Sequence, residues 1–376
     1  MIRSNRCLLI IMMGIGIASP ILANAQFRNS SGAVFVMTNS AEKNEVIAYA
    51  RAENGTLEGE ERYETGGRGT GGVTDPLEAQ GSLTLSQDKS LLFAVNAGSG
   101  NVSVFSVNGP HLALINRVAS GGSQPVAVAE HRDLVYVLNS GGAGNVVGFT
   151  LDFGGQLKQI ENSTAFLTAN VTGGASLAFS PDGQFLAVTE RLSNNIDVFH
   201  VLPNGTLAPI VVNPSPNPGA FSVSFAPNGA AIVSDTGPAG ATNGSTISSY
   251  SIQANGQLSP IGQTLPTFGS ANCWNVITPD GSRVYVSNAG SATISGFTIA
   301  KNGALTPLSG TVVGNNPSGS TNLDITVSAD GKYLYTLNSA TGTIGSFAIQ
   351  QDGSLTNLGE VGDFPKSSGM NGIAAL

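Results

Sequence analysis

The sequence predicts an all-β protein, a seven-bladed β-propeller of four-stranded antiparallel blades whose ring is closed by the C-terminal strand pairing into blade 1. Three observations predict it. A unit of short apolar runs and tight turns recurs seven times at spacings of 43 to 57 residues, about the length of one propeller blade. Charged residues are 11% of the chain and glycine is 49 of 376 positions, a composition suited to strands and turns. Beyond the N-terminus no stretch carries a helical period.

The unit is clearest at the turn Ser180-Pro181-Asp182-Gly183, followed by the strand-like run Gln184 to Glu190. A second apolar run spans Ile196 to Val201, then comes Pro203-Asn204-Gly205 and a last run from Leu207 to Val212. The second strands of successive units end at Asn39, Asn96, Asn139, Glu190, Asp235, Asn288 and Asn338, in steps of 57, 43, 51, 45, 53 and 50 residues. Asp182-Gly183, Asp280-Gly281 and Asp330-Gly331 precede second strands, while Asn204-Gly205, Asn255-Gly256, Asn302-Gly303 and Asp352-Gly353 follow third strands. Such pairs supply the positive φ of tight hairpins. Strands alternate branched or aromatic residues with small polar ones, as in Ala292 to Ile299.

The ends of the chain complete the plan. The first unit begins directly with a second strand, Ala33 to Asn39, and the tail Gly372-Ile373-Ala374-Ala375-Leu376 resembles the first strands of other units. The tail is therefore expected to supply the missing inner strand, which leaves no free edge at the join. Arg3 and Arg6, the apolar stretch Leu8 to Ala18 and the small residues Ala23-Asn24-Ala25 read as a secretory signal peptide over 1–25. Residues 26–376 then form a single propeller domain, exported to the periplasm or outside the cell, with no membrane insertion of the mature chain. The net charge of −8 becomes −10 after cleavage, with 14 Lys+Arg against 24 Asp+Glu. That acidity excludes sequence-independent nucleic-acid binding. Cys273 is left as the lone cysteine, read as a small buried residue rather than a nucleophile.

These units resemble the lactonase family of seven-bladed propellers, which includes cycloisomerase-type 6-phosphogluconolactonases and carboxymuconate cyclases. The resemblance is carried by Ser180 to Gly183 with Thr189 to Asp197, by Ala271-Asn272-Cys273-Trp274 with Thr278 to Gly281 and Val286-Ser287-Asn288, and by Gly353-Ser354-Leu355-Thr356. It implies a lactonase-like activity with no cofactor. Family members place histidines and an arginine just before inner strands. The matching stretches here, Gly173 to Ser176, Pro218 to Ser222 and Ala271 to Trp274, hold neither. This departure argues against a phosphorylated sugar lactone as substrate.

In a propeller, loops joining fourth to first strands and second to third strands share the face around the channel mouth. His131, His111 and His200 fall in the other turns and read as surface residues, so a base at the mouth would have to be a carboxylate. The mouth face receives Lys43, Arg68, Asp75 and Glu78 from the first-blade loops, Glu190 and Arg191 from blade 4, Asp235 from blade 5, Asn272, Trp274 and Asp324 from inner-strand starts, and Asp363 and Lys366 from the closing connection. Glu190, Arg191 and Arg68 are the catalytic candidates, with Glu190 as base and an arginine for the oxyanion or a substrate carboxylate. Trp274, Asn272, Asp235 and Asp324 are the substrate-binding candidates.

Each has a structural reading beside it. The strand-end asparagines are expected to cap turns by bonding backbone amides, and Glu190 and Asp235 to repeat that role. Arg191 is expected, if it is structural, to pair with a neighbouring acid such as Asp197. The glycine-rich run Gly66 to Gly72 lacks the lysine of a phosphate loop and reads as flexible. Trp274 reads first as a wedge between blades and second as a substrate platform. A metal would need Glu190, Asp235, Asp324 and Asn272 together, and the family resembled requires none. Three functions stay open: a monomeric hydrolase of a sugar or carboxylated lactone, a non-enzymatic propeller binding a glycan, peptide or envelope protein, and a carboxymuconate-type cycloisomerase.

Overall fold

The computed structural model describes residues 32–169 and 173–376; the expected signal peptide lies outside the described residues. Seven antiparallel sheets follow one another along the chain, and no helix occurs among the described residues. Blade 4 shows the plan, with strands Gly174–Phe179, Phe185–Glu190, Asn195–His200 and Val211–Pro214 paired in sequence order from the channel outward. In blades 3 and 5 the outermost strand is split into two short pieces, both paired to the third strand. Six of the seven expected second-strand ends coincide with observed ends; in blade 1 the strand stops at Met37, two residues short of Asn39.

The ring closes as the sequence predicts. Ile373–Ala375 pairs antiparallel with Gly32–Met37, with Val36 opposite Ile373 and Val34 opposite Ala375. Blade 1 therefore combines both ends of the described chain, and separating them would expose unpaired backbone on two strands.

The core lies between blades, where large side chains from second strands meet the neighbouring sheet. Tyr136, Tyr285 and Tyr335 are fully buried. Their hydroxyls donate to the turn carbonyls of Gly205 at 2.6 Å, Gly353 at 2.9 Å and Gly55 at 2.9 Å. Each acceptor belongs to the next blade, and the Tyr335 bond spans the closing seam. Ser249 reaches Gly303 and Asn213 reaches Gly256 in the same way. The Asn-Gly and Asp-Gly turns that follow third strands thus have two jobs. Their glycines take φ between 75° and 89°, and their carbonyls become the acceptors that lock blade to blade.

The turns before second strands are stabilised by their own side chains. Asp182, Asp280 and Asp330 each accept from a hydroxyl two residues earlier and from a backbone N–H two residues later. Among the histidines, His131 departs from the surface reading: it is 7% exposed, packs against Phe179 at 5.6 Å, and burial lowers its pKa.

Candidate active site at the channel mouth

Inner strands flare as they reach the mouth. In blades 3 to 6 the register slips by one residue near the strand start, which bulges out Val126, Ala175, Phe221 and Cys273. In blade 7 the slip comes one step later and falls on Asp324. A left-handed residue precedes each of these strands: Gln124, Gly173, Gly219, Ala271 and Thr321. Bulges of this kind bend the strand and re-aim side chains, and here they set Phe221 and Cys273 into the chamber wall.

The long connection between blades 1 and 2 then fills the middle of the channel. The Gln80 amide donates to Ala175 O of blade 4 at 2.8 Å. Its side chain makes two bonds with the Asn275 backbone of blade 6, at 2.9 and 3.0 Å. The Trp274 indole N–H donates to Ala79 O at 3.0 Å. Leu77 and Ala79 are buried. This plug separates a mouth-side chamber of about 630 Å³ from a chamber of about 370 Å³ that opens on the opposite face.

Three charged side chains meet in the mouth-side chamber: Asp75 and Glu78 from the plug connection, and Arg191 from the blade 4 loop. Arg191 donates to the Glu78 carboxylate, an ion pair between residues 113 apart in sequence. Asp75 Oδ1 accepts from the Glu78 amide at 3.0 Å and from Asn371 Nδ2 at 2.7 Å. Among the described residues no donor reaches its Oδ2. Burial pushes the Asp75 pKa up to about 7; the Glu78 charge adds to this, while the two hydrogen bonds and Arg191 work against it. Burial also raises the Cys273 thiol well above its usual range. Cys273 is thus a neutral wall residue, and Asp75 is the carboxyl able to exchange a proton near neutral pH.

The structure distributes the sequence candidates differently. Arg191 is in the chamber, but its partner is Glu78 and not Asp197. Glu190 points into blade 4 and is fully buried. Its Oε1 accepts from the Thr168 amide at 2.8 Å, and its Oε2 from the hydroxyls of Thr168 and Ser193. Asp197 is also fully buried, and no N–H or hydroxyl reaches either of its oxygens among the described residues. Burial and the neighbouring Glu190 push Asp197 far up, so it keeps its proton and donates it to Glu190. Burial works to raise Glu190 too, but the bonds from Asp197, Ser193 and Thr168 outweigh it and hold Glu190 below its ordinary range.

This acid pair replaces a bond seen in other blades. Asn96 Nδ2 donates to Ser103 Oγ at 2.8 Å and Asn288 Nδ2 to Ser295 Oγ at 2.9 Å, each seven residues on, as Asp197 is from Glu190. The strand-end asparagines therefore mostly tie second strand to third, rather than cap turns through backbone amides. Asn39 does accept from a backbone amide, that of Thr70, but this lies 31 residues on in the glycine-rich run and not in the turn at its own strand end. Asp235 holds the Ser215 and Thr246 hydroxyls and is fully buried. Asn272 is buried, with Nδ2 on Thr246 O. Trp274 is fully buried, edge-on to Phe221 at 5.0 Å, and so acts as the wedge between blades 5 and 6. Asp324 lines the opposite chamber. Arg68 is exposed on the rim and does not line the mouth-side chamber.

The glycine-rich run is held, not loose. Gly69 and Gly71 donate to Ser40 O and Asn39 O, and Arg68 O accepts from Gly98. A side chain at Gly69 would sit 2.2 Å from the Asn39 carbonyl carbon, which is why glycine stands there. Among the described residues no group of His, Cys, Asp or Glu is placed to hold a metal ion, and Glu190, Asp235, Asp324 and Asn272 are not brought together.

Asp75 and Glu78 were legible only as acids somewhere on this face. Asn371 carried no signal apart from its place in the closing tail. The usable clue was the length of the blade 1 to 2 connection, which must be accommodated somewhere and goes into the channel.

No protein-family model and no curated protein matches the chain. Solved structures do. A 6-phosphogluconolactonase candidate from Bacteroides uniformis shares 20% identity at a TM-score of 0.70, over 92% of this chain and 99% of that one. A similar candidate from Bacteroides fragilis shares 19% at 0.66, over 92% and 97%. The periplasmic gluconolactonase PpgL from Pseudomonas aeruginosa shares 17% at 0.70, over 92% and 99%. At these identities the likeness establishes the fold, and the chain has the seven-bladed propeller fold of these lactonase-type proteins.

Proposed function

We propose that the protein is a lactone hydrolase working in the mouth-side chamber. The observation that carries this reading is the meeting of Asp75, with its raised pKa, and Arg191 in a chamber of about 630 Å³. The shared fold with a gluconolactonase supports it. Asp75 takes a proton from water, and the oxygen of that water attacks the lactone carbonyl. Arg191 stabilises the oxyanion that forms. The ring C–O bond then breaks, and the Asp75 proton passes to the departing ring oxygen, giving a hydroxy acid. A carboxyl titrating near 7 is suited to both halves of this cycle. Because Glu78 already neutralises Arg191, the chamber favours an uncharged sugar lactone over a phosphorylated or carboxylated one. We read the protein as an exported monomer, in the periplasm or outside the cell.

The test is turnover of aldonolactones by residues 26–376. Asp75→Asn should lower kcat by at least about a hundredfold, and Arg191→Gln should also lower kcat. Glu190→Gln, buried in blade 4, should leave kcat unchanged. Full activity in Asp75→Asn would remove the assignment.

The plug supports a second reading. A channel closed at mid-depth, with its one chamber arginine already paired, also suits a sugar-binding propeller without catalysis. Saturable binding of sugars or lactones with no turnover would favour it.

A further inference from the structure

The plug leaves a second chamber on the opposite face, remote from the chemistry proposed above. Its walls are inner-strand segments from blades 1, 2, 6 and 7, and they present Leu85, Val276, Ile325 and Val327 together with the hydroxyl-bearing Thr84 and Thr326. Its inner end is polar, formed by Gln80 and Asp324. These two groups are already committed. Gln80 is bonded to Asn275, and the Asp324 carboxylate accepts from the Ile325 amide at 2.9 Å and the Ile373 amide at 3.1 Å. At the open end stands Lys89, in the turn that leads to the second strand of blade 2.

Lys89 is held with φ at 64°, and its amide donates to Ser86 O at 2.9 Å. Among the described residues it has no ion-pair partner. The nearby acids are engaged elsewhere. Glu130 accepts from the Gln87 amide, and Asp88 from the hydroxyls of Ser86 and Ser90. Lys89 is exposed at the surface, with the Glu130 charge acting on it. A cavity of about 370 Å³, mainly apolar along its walls and with one cation at its mouth, can receive an amphiphilic ligand. Its volume lies within the ordinary range for small-molecule sites, about 300–1,000 Å³.

We propose that this chamber binds a small amphiphilic monocarboxylate, its alkyl or aryl body against the apolar strands and its carboxylate on Lys89 at the mouth. The apolar end is driven in by removal of its surface from water. The carboxylate meets an ammonium that makes no ion pair among the described residues, which gives a charge-assisted bond at the mouth. Gln80 and Asp324 are already bonded within the protein, so a second polar group on the ligand would have only the hydroxyls of Thr84 and Thr326 to meet. A diacid or a sugar would therefore lose more hydration there than it regains.

Octanoate, titrated into residues 26–376 by calorimetry, is the direct probe. The expected result is one saturable site, with octanamide weaker. Lys89→Gln should weaken octanoate roughly tenfold and leave octanamide unchanged. Ala329→Trp, an exposed turn residue at the chamber rim, should block both while leaving turnover or sugar binding in the other chamber untouched. Absence of saturable octanoate binding at millimolar concentration would overturn the proposal. So would equal affinity for octanamide, or octanoate binding indifferent to both variants.

Discussion

Replacing Asp235 by asparagine should stabilise the protein at alkaline pH and flatten its pH dependence. Asp235 is fully buried at the end of the second strand of blade 5, where its contacts are neutral hydroxyls, Ser215 Oγ at 2.7 Å and Thr246 Oγ1 at 3.3 Å. Burial raises its pKa from 3.8 to about 7, with those hydrogen bonds opposing. The folded state therefore holds the proton to about pH 7, whereas the unfolded chain releases it near 3.8. Between these values only the unfolded state ionises, so stability falls as pH rises from 3.8 through 7 and then levels off. The full penalty above pH 8 is about 4 kcal/mol, more than half of which develops between pH 5 and pH 8. Asparagine occupies this position in five of the seven units. Its amide can accept from Ser215 and donate to Thr246 without any charge. Urea unfolding of both proteins at pH 5 and pH 8 reads the effect. The wild type should lose about 2–3 kcal/mol more than Asp235→Asn between the two. A variant less stable than wild type at pH 8, or equal slopes, would refute the reasoning.

Other outcomes follow from the same structure. Removing residues 371–376 should sharply lower the melting temperature, because it strips the inner strand from blade 1 together with the Asp324–Ile373 and Asp75–Asn371 bonds; an unchanged melting temperature would refute the closure. Asn371→Ala removes a donor that favours ionised Asp75, so the acid limb of the pH–rate profile should move up by roughly one pH unit. Gly69→Ala should cost about 1–3 kcal/mol in denaturant unfolding, since the added methyl meets the Asn39 backbone. Glu190→Gln should raise stability at pH 8 relative to pH 5, because it removes one of two buried acids that share a proton; a large loss of stability at pH 8 would refute the shared proton.

The fold was readable because each of its determinants is local. Asp182-Gly183 and Asn204-Gly205 encode turns through the φ that glycine permits, and the alternation in Ala292 to Ile299 encodes a strand. Seven repeats of such signals leave little choice of architecture, and a missing first strand at one end with a spare one at the other fixes the closure. The strand-end breaks Glu190 and Asp235 were also visible, but their meaning was not. Sequence shows that asparagine is replaced; it does not show that Asp197, seven residues on, replaces a serine and supplies the missing proton.

The site belongs to the other category. Asp75, Glu78, Arg191 and Asn371 come from three distant parts of the chain. They meet because one long connection is drawn into the channel and fastened there by Ala175, Trp274 and Asn275. By itself the sequence determined the blades, their number and the seam, since hairpin geometry and strand period act over a few residues. Only the tertiary structure decided which acids are buried, which arginine is paired and where the channel is blocked. Those properties depend on solvent exclusion and on charges brought together across the ring, and neither is set by the neighbours of a residue in the chain.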